Sequence, residues 1–278
     1  MKIAILLTVY NRKKTTITSL QYLFKAISIL SNNNSFDIYL VDDGCTDGTS
    51  EAVHDLFPNI IIIRTSGNMY WSKGMRLAWE TALSKNTYDY FIWFNDDAML
   101  YPTSLQELFD TANSCSSKEN IIISGAFEDS HHYVSYGGRN SKYQLLVPNG
   151  MPQPIYYMNG NLVLVSKEVV NKIGIIDSIY HHGLGDFDYG LRAIKNNIIP
   201  MLTTKYVGIT DRHDSDLIAY CSPEFSLKKR FKILYSPKFS PILEYKFHYR
   251  HSGILKANYY FLIKHIYTIF PSLYKLLH

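Results

Sequence analysis

The sequence predicts an α/β fold: a mostly parallel central sheet flanked by helices, with a helical extension at the C-terminus. Three observations predict it. Apolar runs of strand length alternate with helix-period segments through residue 94, a polar cluster follows each run, and from Phe225 onward the composition turns basic and aromatic. The chain has 278 residues, 46% apolar and 19% charged, enough for one large domain with an appendage and unlike a small stapled scaffold.

Residues 2–8 form an unbroken apolar run ended by polar residues, the pattern of a strand covered on both faces. The run is too short for a signal peptide and lacks a small-residue cleavage site, so it reads as the first strand. Ile17, Leu20, Phe24, Ile27 and Leu30 then recur at helical spacing. The same alternation predicts strands at 38–41, 60–64 and 90–94, with helices at 49–57 and 74–83. Strands separated by helices argue for parallel pairing with right-handed crossovers, and ligands of such sheets bind outside the carboxyl ends of the strands. Tyr10-Asn11-Arg12, Asp42-Asp43-Gly44, Gly67-Asn68 and Asn95-Asp96-Asp97 each follow a strand and are expected to meet at one crevice.

After about residue 120 the rhythm changes, with strands expected at 121–124, 132–137 and 161–165 and a short helix at 189–195. The organisation read from this is a domain at 1–224 and a helical tail at 225–278. The tail holds ten Lys and Arg against one acid, Glu244, a balance of +9 that leaves −5 for residues 1–224 of a chain whose net charge is +4. A basic segment interleaved with Tyr249, Tyr259, Tyr260 and Tyr267 suits an anionic membrane surface, and a helical cap or homodimer contact is the other reading. No nucleic-acid recognition motif accompanies it, so no nucleic-acid partner is expected. No run reaches the ~18 uncharged apolar residues of a spanning helix. Cys45, Cys115 and Cys221 lie far apart without metal-ligand spacing, which fits a reducing, cytoplasmic setting.

The strongest local signal is the strand Phe91-Ile92-Trp93-Phe94 running directly into Asn95-Asp96-Asp97. Two adjacent carboxylates there need an offsetting cation or donor groups. Mg²⁺ or Mn²⁺, held by one or two carboxylates and a substrate diphosphate, would supply it; an Asx-turn or helix cap is the plain alternative. Asp43 repeats the arrangement, while Asp47 can cap the helix that follows. In Gly185-Asp186-Phe187-Asp188, Asp188 stands four residues before Arg192 and can pair with it, which leaves Asp186 as the better candidate for chemistry. Trp93 and Trp79 read as core, and Trp71, placed in a loop, as the tryptophan that reaches ligand.

Glycine-rich dinucleotide and P-loop motifs are absent, and Leu7 to Arg12 has no glycine, which argues against a sugar nucleotidyltransferase. With its Thr8-Val9-Tyr10-Asn11-Arg12, Val41-Asp42-Asp43-Gly44, Asn95-Asp96-Asp97 and Gly185-Asp186-Phe187-Asp188, the sequence resembles the family 2 glycosyltransferases of GT-A, Rossmann-like fold over residues 1–215. Residues 69–79 and 185–193 look like the rhamnosyltransferase and galactofuranosyltransferase branch.

That resemblance implies a nucleotide-binding half at about 1–120 and an acceptor half at about 121–224. Thr8, Tyr10, Arg12, Asp43 and Asp96 would hold the nucleotide, Asp43 on the base imide, and Asp97 would be the metal ligand of a motif whose first position is Asn95. His213 lies where related enzymes place a histidine on metal or diphosphate; a surface histidine is the other reading. Asp186 falls at the general base, preceded by Gly185 where a Glu is usual. Trp71, Lys73, Asn159 and Asp188 are candidate donor or acceptor contacts. The implied reaction is inverting, metal-dependent transfer from a UDP- or dTDP-linked sugar to a glycan or lipid-linked acceptor in cell-surface polysaccharide synthesis. A non-catalytic nucleotide-sugar or glycan-binding module is the alternative, and Asp43, Asp97 and Asp186 together argue against it.

Overall fold

The computed structural model describes residues 1–30, 34–117, 119–211 and 219–277, with side chains through 274. Strands β1 (Lys2–Val9), β2 (Ser35–Asp42), β3 (Ile60–Arg64) and β4 (Tyr90–Phe94) alternate with helices α1 (Lys13–Ile29), α2 (Thr49–Leu56) and α3 (Tyr70–Lys85). All four strands are parallel, in the order β3-β2-β1-β4. The winding therefore reverses at β1, with β2 on one side and β4 on the other, and a crevice opens at the carboxyl ends where it does so.

The chain continues through β5 (Met99–Leu100), α4 (Ser104–Ser114), β6 (Ile122–Glu128), β7 (Val134–Tyr136), β8 (Gly138–Arg139), β9 (Gln153–Pro154), β10 (Tyr157–Met158), β11 (Leu162–Ser166), α5 (Lys167–Ile173), α6 (Gly185–Lys195) and β12 (Met201–Ile209). The sheet extends as β4-β11-β6-β12-β5, with β11 antiparallel to both β4 and β6. This is the mixed half that the change of rhythm foretold. Hydrophobic residues fill both faces: Ile5, Leu7, Leu20 and Phe94 in one cluster, Leu6, Trp79, Trp93 and Val163 in the other. Burial on both faces explains why β1 has no alternation.

Two helices begin earlier than their periodicity suggests. Helix α3 starts at Tyr70 because the Asp43 carboxylate accepts the backbone N–H of Met69 at 2.7 Å and of Tyr70 at 2.8 Å, satisfying donors that a helix start otherwise leaves unpaired. Helix α6 starts at Gly185, with Asp186 and Asp188 in its first turn, where the helix dipole favours negative charge.

The chain divides into two compact units. The first comprises Met1–Ser178 and Asp186–Arg212; the second takes Ile179–Gly185 and His213–His278. Within the second, a 3₁₀ turn (Ala219–Cys221) precedes α7 (Leu227–Leu234), α8 (Pro241–Ser252), α9 (Ile254–Ile269) and α10 (Pro271–Leu277). The Ser226 and Ser240 hydroxyls cap α7 and α8, and Tyr220, Cys221 and Leu234 form a small core with Phe231 and Phe239. Among the described residues no helix is long and apolar enough to cross a membrane.

Candidate active site

The carboxyl ends of β1 to β4 are tied together by the polar clusters that follow them. After β1, Asn11 takes a left-handed backbone (φ 49°) and its side-chain oxygen accepts the N–H of Thr46, beyond β2. Asp47 accepts the N–H groups of Thr49 and Lys13, and so joins the starts of α2 and α1. Asp42 turns inward to the Cys45 N–H and the Ser50 hydroxyl. Asp43, also buried, binds the β3–α3 loop through Met69, Tyr70 and the Thr65 hydroxyl. A carboxylate has about four acceptor positions, so three such donors leave room for one more. Thr8 lies half-buried under α3, where Gly74 permits the approach: a Cβ there would overlap the Thr8 side chain. Tyr10 is largely exposed.

The charge that offsets Asp96 and Asp97 comes from the protein. Arg12 Nη1 lies 2.8 Å from Asp97 and 3.3 Å from Asp96, and the Thr16 hydroxyl donates to Asp96. Burial nevertheless pushes the Asp96 carboxyl up to about 6; Arg12 opposes the rise and the neighbouring Asp97 adds to it. Asn95 does not face this pair. Its side-chain oxygen accepts the Trp71 indole N–H at 2.7 Å. Trp71 is therefore in the first turn of α3, not in a loop, half-buried and edge-on to Trp93 at 5.9 Å.

The Trp71 ring leads to Asp186. It packs over Gly160, where a Cβ would overlap it and would also stand 3.5 Å from the Asp186 Cβ. The Gly160 N–H donates to Asp186 Oδ2 at 3.1 Å, and the Phe187 N–H to Oδ1 at 2.9 Å. Burial outweighs these hydrogen bonds and pushes the carboxyl up to about 6. A carboxyl so placed is ionised at neutral pH yet basic enough to accept a proton.

The other candidates divide. Asp188 is fully buried, 2.8 Å from Arg192 Nε, and Arg192 also donates to the Ile173 and Ile175 carbonyls. The pairing with Arg192 gives Asp188 a structural role. Lys73 is half-buried and makes no ion pair among the described residues. The Asn159 side-chain oxygen is buried without a hydrogen-bond partner among the described residues, one position before Gly160. His213 lies outside the described residues.

Sequence reasoning passed over an aromatic group beside Asp186. Phe187 packs against Tyr157 (5.3 Å between centroids) and Tyr143 (5.9 Å), and Tyr143 lies over the Arg139 guanidinium at 4.5 Å. Tyr143 is 53% exposed and has φ +66°, an uncommon state for an aromatic residue. The turn enforces it: Asn140 bonds Lys142, Tyr143 and Gln144, and Arg139 donates to the Tyr143 carbonyl. Strain held this firmly is typical of functional surfaces.

The sequence profile of glycosyl transferase family 2 matches residues 4–174. The chain belongs to that family. No curated protein matches the sequence. Among solved structures, this glycosyltransferase is similar to the mannosyltransferase PcManGT of Pyrobaculum calidifontis, solved with GDP-Man and Mn²⁺, at 14% identity and a TM-score of 0.55, over 93% of this chain and 73% of that one. It is likewise similar to residues 1–349 of S. aureus TarS, at 17% identity and a TM-score of 0.55, over 91% of this chain and 73% of that one. TarS 1–349 in complex with UDP gives 15% identity and a TM-score of 0.53 over the same shares. What these share with this glycosyltransferase is the GT-A fold.

Among the described residues no three His, Cys, Asp or Glu side chains form a protein-only metal cage. The donor set of this glycosyltransferase is instead two adjacent carboxylates, Asp96 and Asp97, already in contact with a cation, Arg12. Hard oxygen ligands so few in number fit Mg²⁺ or Mn²⁺ completed by diphosphate oxygens and water.

Proposed function

We propose that this glycosyltransferase moves a sugar, with inversion at the anomeric carbon, from a nucleotide diphosphate donor to a hydroxyl of a glycan or lipid-linked acceptor. The observation that carries the reading is Asp186, held by two backbone N–H groups and raised to about 6 within the same crevice margin as Trp71 and Asn95. Support comes from the family match and from the complexes of its structural neighbours with GDP-Man, UDP and UDP-GlcNAc. The likeness of residues 69–79 to the rhamnosyl and galactofuranosyl branch favours a UDP- or dTDP-linked hexose or deoxyhexose, used in cell-surface polysaccharide synthesis.

In this reading Asp43 uses its remaining acceptor position for the imide N–H of the base, Thr8 and Tyr10 border the ribose, and Arg12 moves from the carboxylates toward the diphosphate. Asp97, with Asp96 beside it, would hold Mg²⁺ or Mn²⁺, which when bound offsets charge on the leaving diphosphate. His213 is proposed as a further contact there. Asp186 Oδ accepts the proton of the attacking hydroxyl, and Tyr143, Tyr157 and Phe187 offer ring faces to the acceptor sugar. A lipid-linked acceptor would bring the enzyme to the cytoplasmic face of a membrane, to which the basic tail is suited.

The test is turnover of a panel of nucleotide diphosphate sugars by the full chain, with Mn²⁺ or Mg²⁺ and with EDTA. Donor hydrolysis or transfer that EDTA abolishes supports the reading. Donor binding without turnover would leave a non-catalytic binding module.

A further inference from the structure

Helix α9 is apolar and exposed on the side it turns away from α8. Leu255, Tyr259, Leu262, Ile266 and Ile269 recur at spacings of four, three, four and three, and each is at least 40% exposed, Leu255 83%. That spacing lays them along one line down α9. The opposite side of α9 is the one that packs on α8: Tyr245 against Phe261, His248 stacked on Tyr260 at 4.0 Å, and Lys264 paired with Glu244. A helix apolar on both sides is normally buried, and an exposed apolar line this long marks a surface that something covers.

Charge decides what covers it. Glu244, the single acid of residues 225–278, is taken up by Lys264 and His248. The exposed charges among the described residues of these helices are all positive, including Lys228, Lys229, Lys232, Lys246, Arg250 and Lys256. Two copies pressed together would bring together two units of the same positive sign, whereas an anionic lipid surface attracts a positively charged unit as well as apolar side chains. Helix α9 has 16 residues, too few to span a bilayer, so it would lie in the membrane plane.

We propose that the line from Leu255 to Ile269 on α9 docks on an anionic bilayer, with the apolar side chains among the acyl chains and Lys256, next to Leu255, at the headgroups. This rests on reading the tail as membrane-facing and names the surface that does it. The experiment is co-sedimentation of the full chain with vesicles of phosphatidylglycerol mixed with phosphatidylcholine, and of phosphatidylcholine alone, beside the double variant Leu262→Ser/Ile266→Ser. Both replaced residues are exposed, so circular dichroism should show the fold unchanged.

The wild type is expected to sediment with the anionic vesicles, less so as salt rises. The double variant should bind about tenfold or more weakly, since two of the five apolar side chains, at the middle of the line, are lost. Wild-type binding that the double variant retains in full overturns the assignment of this face alone. A wild type that ignores anionic vesicles overturns the membrane reading with it. A wild-type dimer that the double variant converts to monomer, without vesicle binding by either, gives the face to a second copy instead. Turnover on a soluble acceptor stays unchanged in the variant, which separates every one of these outcomes from failure of the catalytic reading.

Discussion

Arg12 bridges the ends of β1 and β4, its guanidinium 2.8 Å from Asp97 and 3.3 Å from Asp96. The contact neutralises a carboxylate pair whose buried member is already raised to about 6. Replacing Arg12 by Ala raises Asp96 further, so the folded state holds its proton more strongly than the unfolded chain does. A carboxyl raised in the fold costs stability as pH climbs from its unfolded value, about 4, through its folded one. The loss for Arg12→Ala relative to the wild type is therefore small near pH 4 and largest above pH 6, reaching about 1 to 3 kcal/mol. Because the Arg12 side chain is 46% exposed, the lower end of that range is expected. Urea unfolding at the two pH values measures it, and Mn²⁺ should stabilise the variant more than the wild type.

Gly160 stands beside Trp71 and Asp186, and the Trp71 ring leaves no space for a methyl group. Gly160→Ala must displace the Trp71 indole or shift the Gly160 backbone, whose N–H holds Asp186 Oδ2, at about 1 to 3 kcal/mol of stability. Misplacing a proton acceptor by an ångström costs on the order of 10²-fold in rate. Turnover should fall by roughly that factor while donor affinity, measured by calorimetry, changes little.

Buried Asp188 pairs with the partly exposed Arg192, which also anchors carbonyls at and just after the end of α5. Asp188→Ala leaves the guanidinium with only carbonyl partners and should lower stability by about 3 kcal/mol, the low end for a broken buried pair because Arg192 is partly exposed. Donor affinity of the remaining folded protein, measured well below its melting temperature, should match the wild type.

Tyr143 is held in a left-handed conformation beside Phe187 and is half exposed. Tyr143→Ala removes a ring face without opening the core, so thermal stability should stay within about 0.5 kcal/mol. The acceptor KM is expected to rise about tenfold, the order of one lost aromatic contact, with the donor KM unchanged.

The strands at 60–64 and 90–94 were legible to the residue because each is a compact apolar run closed by polar residues. The start of α3 was not, since its cap is Asp43, which lies on a different strand end and reaches the helix only through the β1–β2–β3 pairing. The need of Asp96 and Asp97 for a cation could be read from their adjacency. That Arg12 supplies it depends on β1 lying beside β4, which spacing along the chain does not reveal. Strands β8 and β10 have two residues each, too few to show a period, so the aromatic group they help to assemble gave no sequence signal.

The central claim is that Asp186 accepts the acceptor's proton. It is tested by kcat/KM for transfer against pH, in the wild type and in Asp186→Asn, with donor affinity measured in parallel. The wild type should lose activity as pH falls through about 6, and Asp186→Asn should lose ~10²- to 10⁴-fold at neutral pH with donor affinity kept. Transfer by Asp186→Asn at near wild-type rates would contradict it.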